Sequence, residues 1–202
     1  METTEKLKVI KRSFRLFMNG VTAASMRNKG LEYKINWGVS QIDLRNMASQ
    51  YAGDKALAKA LWAEKNIREC KLLATMVMPS EEMSEDEAIE WSDTCQTIEI
   101  MESAVFNLFQ KLEFAQSLAS HMLASTDTLV RTGSYNLVCR LMKRKVELTD
   151  SLSKLIFEQA PSDLKLSDRG LSHAIVNCLT YISTDNKLYA KQADQILDEF
   201  GY

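Results

Sequence analysis

Glycine and proline are scarce in this chain: seven of one and two of the other, Pro79 and Pro161, among 202 residues. Few breakers leave long stretches of Ala, Leu, Met, Lys and Glu, which favour helix, so a mainly β architecture is excluded. Histidine is scarcer still, with His121 and His173 isolated from one another. The four cysteines, Cys70, Cys95, Cys139 and Cys178, stand singly without a C-x-x-C pair. Such spacing supplies no metal-ligand set and reads as reduced core thiols of a cytoplasmic protein. No apolar run reaches the roughly 20 residues that span a bilayer, and METTEKLKVIKR lacks the apolar region of a secretion signal, so no membrane partner is expected. A nucleophile with its base and a phosphate-binding glycine loop are missing too, which leaves a small-molecule enzyme without support.

What remains is 46% hydrophobic and 26% charged, enough apolar content to fold. The net charge of -2 conceals an uneven distribution. Residues 1 to 34 carry eight basic side chains against three acidic ones, and residues 131 to 145 carry Arg131, Arg140, Lys143, Arg144 and Lys145 with no acid. Between Pro79 and Gln110 there are nine acids and no base. Segregation of this kind either sets a basic surface beside an acidic one or reflects helices of a solvated array that alternate in charge.

The central stretch WSDTCQTIEIMESAVFNLF, residues 91 to 109, orders the rest. Ile98, Met101, Val105, Leu108 and Leu112 follow helical spacing, and Thr97 is the predicted N-cap. Glu102 stands at the margin of that stripe. It reads either as a surface residue whose stem lies on apolar neighbours, or as a functional acid in the wall of a groove.

Around this helix the pattern predicts about ten or eleven helices of 10 to 18 residues with links of two to six. The first runs from about Thr4 to Met18 and a short one holds Ala23 to Asn28. GLEYKINWGVS then forms a structured loop. Ser40, Asp54, Ser84 with Glu87, Asp127 or Thr128, Ser167 and Asp185 are the predicted caps; Asn66 opens IRECKLLATMVM and Pro161 follows a helix over 150–159. Short links between helices of similar length favour a right-handed α-solenoid of HEAT-like helical hairpins, a single domain over 1–202; a compact bundle is the competing arrangement.

The segments MRNKGLEYKINWGVSQIDLRNMASQY, ALAKALWAEKNIRECKLLATMVM and EWSDTCQTIEIMESAVFNLF, followed by VRTGSYNLVCRLMKR and HAIVNCLTYIS, together resemble the DNA alkylation repair family of HEAT-like repeat alkylpurine DNA glycosylases. The resemblance implies a basic concave face that holds duplex DNA, a cleft that hydrolyses the N-glycosidic bond of a cationic alkylated purine, and no metal or nucleotide cofactor. In that family an acid stabilises the developing oxocarbenium while aromatic faces hold the cationic lesion. Laid on the family's pattern, Glu102 takes the place of the catalytic aspartate and Ile98 that of a tryptophan. Thr132 falls at a DNA-contacting arginine, with Arg131 one residue away, and Asn177 falls at a second tryptophan. Of the four positions only Glu102 keeps its chemical type, and its extra methylene moves the carboxylate by roughly 1 Å, enough to slow a reaction about a hundredfold. The chain's tryptophans, Trp37, Trp62 and Trp91, lie elsewhere, although Trp91 or Trp37 turned inward would line an altered groove.

The expectation is therefore a divergent member of that family, a monomer that binds duplex DNA, alkylated or not, with weak or altered glycosylase activity through Glu102. Arg131, Arg140, Lys143, Arg27 and Lys34 are the expected DNA-binding residues, with Lys8, Arg12 and Arg15 as further candidates. The alternative is a catalytically inactive scaffold for a protein partner or an unusual nucleic-acid structure.

Overall fold

A computed structural model describes residues 1 to 186 and 188 to 202; Lys187, assigned from the sequence to the last helix, lies outside the described residues. Among them every regular element is helical, apart from one isolated parallel bridge between Ile35 and Ile67. The chain forms two compact units, Met1–Met83 and Ser84–Tyr202.

The first unit holds α1 (Thr3–Phe14), α2 (Gly20–Asn28), α3 (Gln41–Ser49), α4 (Lys55–Trp62) and α5 (Arg68–Val77). Ser40 and Asp54 cap α3 and α4 as their sequence positions require, accepting from the N–H groups of Asp43 and Leu57. The core helix is α5, packed on α3 and α4 and buried at nine of its ten residues. Burying it so completely takes Arg68, Glu69 and Lys71 out of water, which is tolerable only because each finds partners. Glu69 Oε1 accepts from Arg68 Nη1 at 3.1 Å and from the backbone N–H groups of Trp37 and Val39 at 3.1 and 3.4 Å. Arg68 Nη1 also donates to the Val39 carbonyl at 3.2 Å, and Lys71 Nζ lies 3.9 Å above the Trp62 ring. The 30–40 segment is thereby a structured loop fastened to α5. Its Gly38, at φ +69°, has no room for a side chain, since a Cβ would come 2.2 Å from the Asn19 carbonyl oxygen.

The second unit holds α6 (Glu85–Asp93), α7 (Ile98–Asn107), α8 (Ala115–Leu123), α9 (Thr128–Lys143), α10 (Asp150–Leu164), α11 (Arg169–Asp185) and α12 (Ala190–Phe200). Ser84 and Glu87 form the expected capping box, and Thr97 and Asp127 cap α7 and α9. The hub is α9, packed against α7, α8 and α11. Small residues let its neighbours come close: Ser134 Oγ donates to the Ala119 carbonyl at 2.7 Å, and a Cβ on Gly133 would meet Met101 Sδ at 2.4 Å.

Several boundaries differ from the sequence reading, each for a physical reason. The first helix ends at Phe14 rather than Met18, because Phe14 is the last apolar residue that α1 buries. No side chain caps α5, which starts at Arg68; in place of an Asn66 cap, the Arg68 N–H donates to the Ile35 carbonyl at 3.1 Å. Pro161 lies inside α10 instead of beyond it. A mid-helix proline costs about 3 kcal/mol, and here the last turn is held by buried Asp163, which accepts from Tyr135 Oη and Gln159 Nε2, each at 3.0 Å. Asp168 rather than Ser167 caps α11. Asp185 is the last residue of α11, not a cap, and α12 begins only at Ala190.

Candidate nucleic-acid interface

Four of the positions singled out in the sequence meet in one groove of the second unit. Glu102, Val105 and Phe106 come from α7, Asn136, Cys139, Arg140 and Lys143 from α9, and Asn177 and Tyr181 from α11; together they line a space of about 330 Å³. The stripe predicted for α7 explains why: Met101, Val105 and Leu108 are buried, so Glu102 and Phe106, one turn apart, point away from the core. On α9 the same logic leaves Asn136, Arg140 and Lys143 on a margin that is otherwise buried. On α11, Asn177 and Tyr181 repeat the i, i+4 relation.

The groove's electrostatics set one carboxyl against two cations. Glu102 is open to solvent on one side, yet partial burial, and second the nearby Glu99, hold its carboxyl above its ordinary range. The Arg140 guanidinium lies 4.4 Å from the centre of the Phe106 ring, and Lys143 Nζ lies 4.9 Å from that of Tyr181. Both cations therefore sit on aromatic faces. Arg140 Nε also donates to Gln110 Oε1 at 3.3 Å, which leaves its terminal nitrogens without a partner among the described residues. Behind them Cys139 is buried beside Cys178. The hydrogen bond between the two thiols holds Cys139 below its ordinary pKa and pushes Cys178 well above its own.

The remaining candidates fall elsewhere. Arg131 is buried: its Nη1 donates to the Ser125 carbonyl at 2.7 Å, and its Nε lies 3.0 Å from Asp163 Oδ1 in an ion pair too bent to count as a hydrogen bond. A guanidinium committed in this way is a strut between α9 and α10 and does not face a backbone phosphate. Thr132 is likewise buried, its hydroxyl donating to the Thr128 carbonyl at 2.7 Å. Ile98 is a half-buried residue in the first turn of α7. Trp91 is buried in the second unit's core, and Trp37 packs on Phe14 in the first unit with ring centres 5.6 Å apart, so neither enters this groove. Arg27 and Lys34 line a separate, polar recess of about 260 Å³ in the first unit with Tyr33 and Asn36.

Sequence reasoning missed Phe106 and Tyr181. Their signal was present: each stands one helical turn after a position already singled out, Glu102 and Asn177. Phe106 and Tyr181 lie on the same two helices as positions 98 and 177, and a cation covers each ring.

The family model described as DNA alkylation repair enzyme matches residues 10–193. A solved structure described as belonging to a new family of proteins related to the HEAT-like repeat DNA glycosylases, with affinity for branched DNA structures, superposes with a TM-score of 0.80 at 18% identity, covering 96% of this chain and 82% of that one. At that identity the likeness shows the fold, a HEAT-like helical repeat, as the helix pattern predicted. No curated protein matches the sequence significantly.

Proposed function

This chain belongs to the DNA alkylation repair enzyme family, and from that membership we propose that it binds DNA through the sugar-phosphate backbone, prefers branched structures to linear duplex, and does not excise bases. The observation that carries this reading is the pairing of Arg140 with Phe106 and of Lys143 with Tyr181. A cationic alkylated purine needs bare aromatic faces, and in this groove the protein's own cations occupy them. The same two charges attract phosphate, and an aromatic backing keeps their long side chains from collapsing elsewhere. The preference for branched DNA rests on the affinity described for the structural relative. Arg27 and Lys34 would hold phosphates in the first unit's recess.

A second reading, slow hydrolysis of the N-glycosidic bond of alkylated purines, has one observation in its favour: Glu102, to which the resemblance gives the place of the family's acid, lines the groove. One experiment separates the two. Binding of linear duplex and of a three-way junction is measured across a salt series, alongside release of methylated bases from methylated duplex, for the wild type, Glu102→Gln and Arg140→Gln/Lys143→Gln. The binding reading expects tighter association with the junction and no base release. The double variant should then lower the slope of log K against log salt by roughly 1.8, about 0.9 per phosphate contact. Base release that Glu102→Gln abolishes would establish the second reading instead, and no binding at low salt would overturn both.

A further inference from the structure

The connection between α1 and α2 exposes three large apolar residues in succession. Leu16 is 82% exposed, Phe17 44% and Met18 60%, and Val21 in the first turn of α2 is 82% exposed. An isolated exposed leucine needs no explanation, but a run of this kind on a tight turn does.

The tip is held firmly from below. Phe14, fully buried, packs on Trp37, and the Asn19 N–H donates to the Trp37 carbonyl at 2.7 Å. The Asn19 side chain caps α2 by accepting from the Thr22 N–H at 3.0 Å, and Gly38 lets the 30–40 loop press against the Asn19 carbonyl. The apolar residues therefore project from an anchored turn and are not a fraying end.

The chain around it is strongly basic, although Asp43 of α3 shares a recess with Phe17. Residues 6 to 31 carry seven basic side chains and no acidic one. Lys6 and Lys11 are paired with Asp54 and Glu64 at 2.6 and 3.0 Å, while Arg12 and Arg15, next to the tip, are exposed. An apolar point set among free arginines fits a polyanion that also offers apolar faces. Nucleic acid is such a ligand wherever its bases are unstacked, as at a branch point. An anionic lipid surface shares that chemistry, but binding there generally uses a long apolar helix face. On α1, Ile10 and Phe14 are already buried in the first unit's core and Leu7 is half-buried, which leaves Val9 alone exposed and no long apolar face.

We propose that the Leu16–Met18 tip is a wedge that packs against exposed bases at the branch point of branched DNA while Arg12 and Arg15 hold the flanking phosphates. The proposal rests on the DNA-binding reading above and adds to it a second point of contact with its own specificity.

The test uses the full chain and a three-way junction carrying 2-aminopurine at the branch point, with the matching linear duplex as control. Wild type should raise the 2-aminopurine fluorescence as the base is unstacked. Leu16→Ser/Phe17→Ser/Met18→Ser should abolish the rise and weaken junction binding by about tenfold, the scale of one lost stack, with duplex affinity and salt slope unchanged. Arg12→Gln/Arg15→Gln should lower the salt slope on the junction. If the triple variant melts lower than wild type, Leu16→Ser and Met18→Ser singly, at side chains mostly in solvent, serve in its place. Junction binding unchanged by the tip variants, or weakened equally on duplex, overturns the wedge and leaves the groove reading intact. Tip-dependent binding to phosphatidylserine vesicles with no tip effect on DNA also overturns it, in favour of a lipid surface. Wild type that binds neither DNA overturns the DNA-binding reading itself.

Discussion

Replacing Arg131 and replacing Lys143 should have opposite consequences, although both lie in the same basic run of α9. Arg131 Nε sits 3.0 Å from Asp163 Oδ1, with side chains only 9% and 2% exposed. Arg131→Met removes the cation paired with the buried Asp163 carboxylate. Tyr135 and Gln159 still donate to Asp163, but neither carries charge. Breaking such a pair from one side costs about 3 to 5 kcal/mol, because the remaining charge stays buried. In a unit of this size that should lower the melting temperature by roughly 10 °C or more. Asp163→Asn in the Arg131→Met background should recover part of the loss, since the orphaned charge is the larger part of the penalty. DNA affinity and its salt slope, measured below the new melting point, should stay as in wild type. Lys143→Gln should do the reverse: an unchanged melting curve, within about 0.5 kcal/mol for a surface site, and a salt slope lower by about 0.9. Thermal melts and salt-dependent binding of the four proteins decide the matter. If Arg131→Met melts like wild type and lowers the slope, Arg131 reaches phosphate and the strut argument is wrong.

Three further outcomes follow from the same structure. Gly133→Ala should destabilise the second unit by about 1 to 3 kcal/mol, because the new Cβ would meet Met101 Sδ at 2.4 Å and Met122 Cε at 2.7 Å; urea unfolding reads the change, and an undiminished midpoint would refute it. Glu102→Gln should show a stability difference that depends on pH. The wild-type carboxyl is raised above 4.5 in the fold, so its favourable contribution is complete below the unfolded value and lost as the pH rises through the folded one. The variant should thus gain relative to wild type between acid and neutral pH, modestly because water screens the exposed side, and a gain in the opposite direction would contradict the assignment. Brief iodoacetamide treatment should label Cys139 before Cys70 or Cys178, because Cys139 lines the groove and has a lowered pKa, while burial pushes Cys70 up and the hydrogen bond with Cys139 pushes Cys178 up; peptide mapping that finds Cys70 first would count against this.

Much of the fold was legible in the chain because its signals are local. Ser40, Asp54, Ser84, Thr97 and Asp127 all cap where hydroxyl or carboxylate chemistry places them. The failures arose where a distant partner overrode a local rule. Pro161 ends a helix on its own merits, but Asp163 is gripped by Tyr135 from 28 residues away. Arg131 and Lys143 look alike in sequence; what separates them is Asp163, which no pattern within α9 reveals. In the groove, Glu102 stood out at the margin of its apolar stripe as well as in the family pattern, Asn177 came from the family pattern and Arg140 and Lys143 from a charge run, while Phe106 and Tyr181 went unread. Only the packing of α7, α9 and α11 shows that each ring lies under a cation.

The grip of Glu69 on the 30–40 loop bears on how this protein can change over generations. Its carboxylate holds peptide N–H groups of Trp37 and Val39 and not side chains. The loop's path is thereby specified through its backbone, by Glu69, Arg68 and Asn19 outside it and by Gly38 within it. Exposed side chains along that path with no part in the fastening, such as Glu32, are then at liberty to drift, so a lineage could try new surface chemistries there without rebuilding the framework beneath.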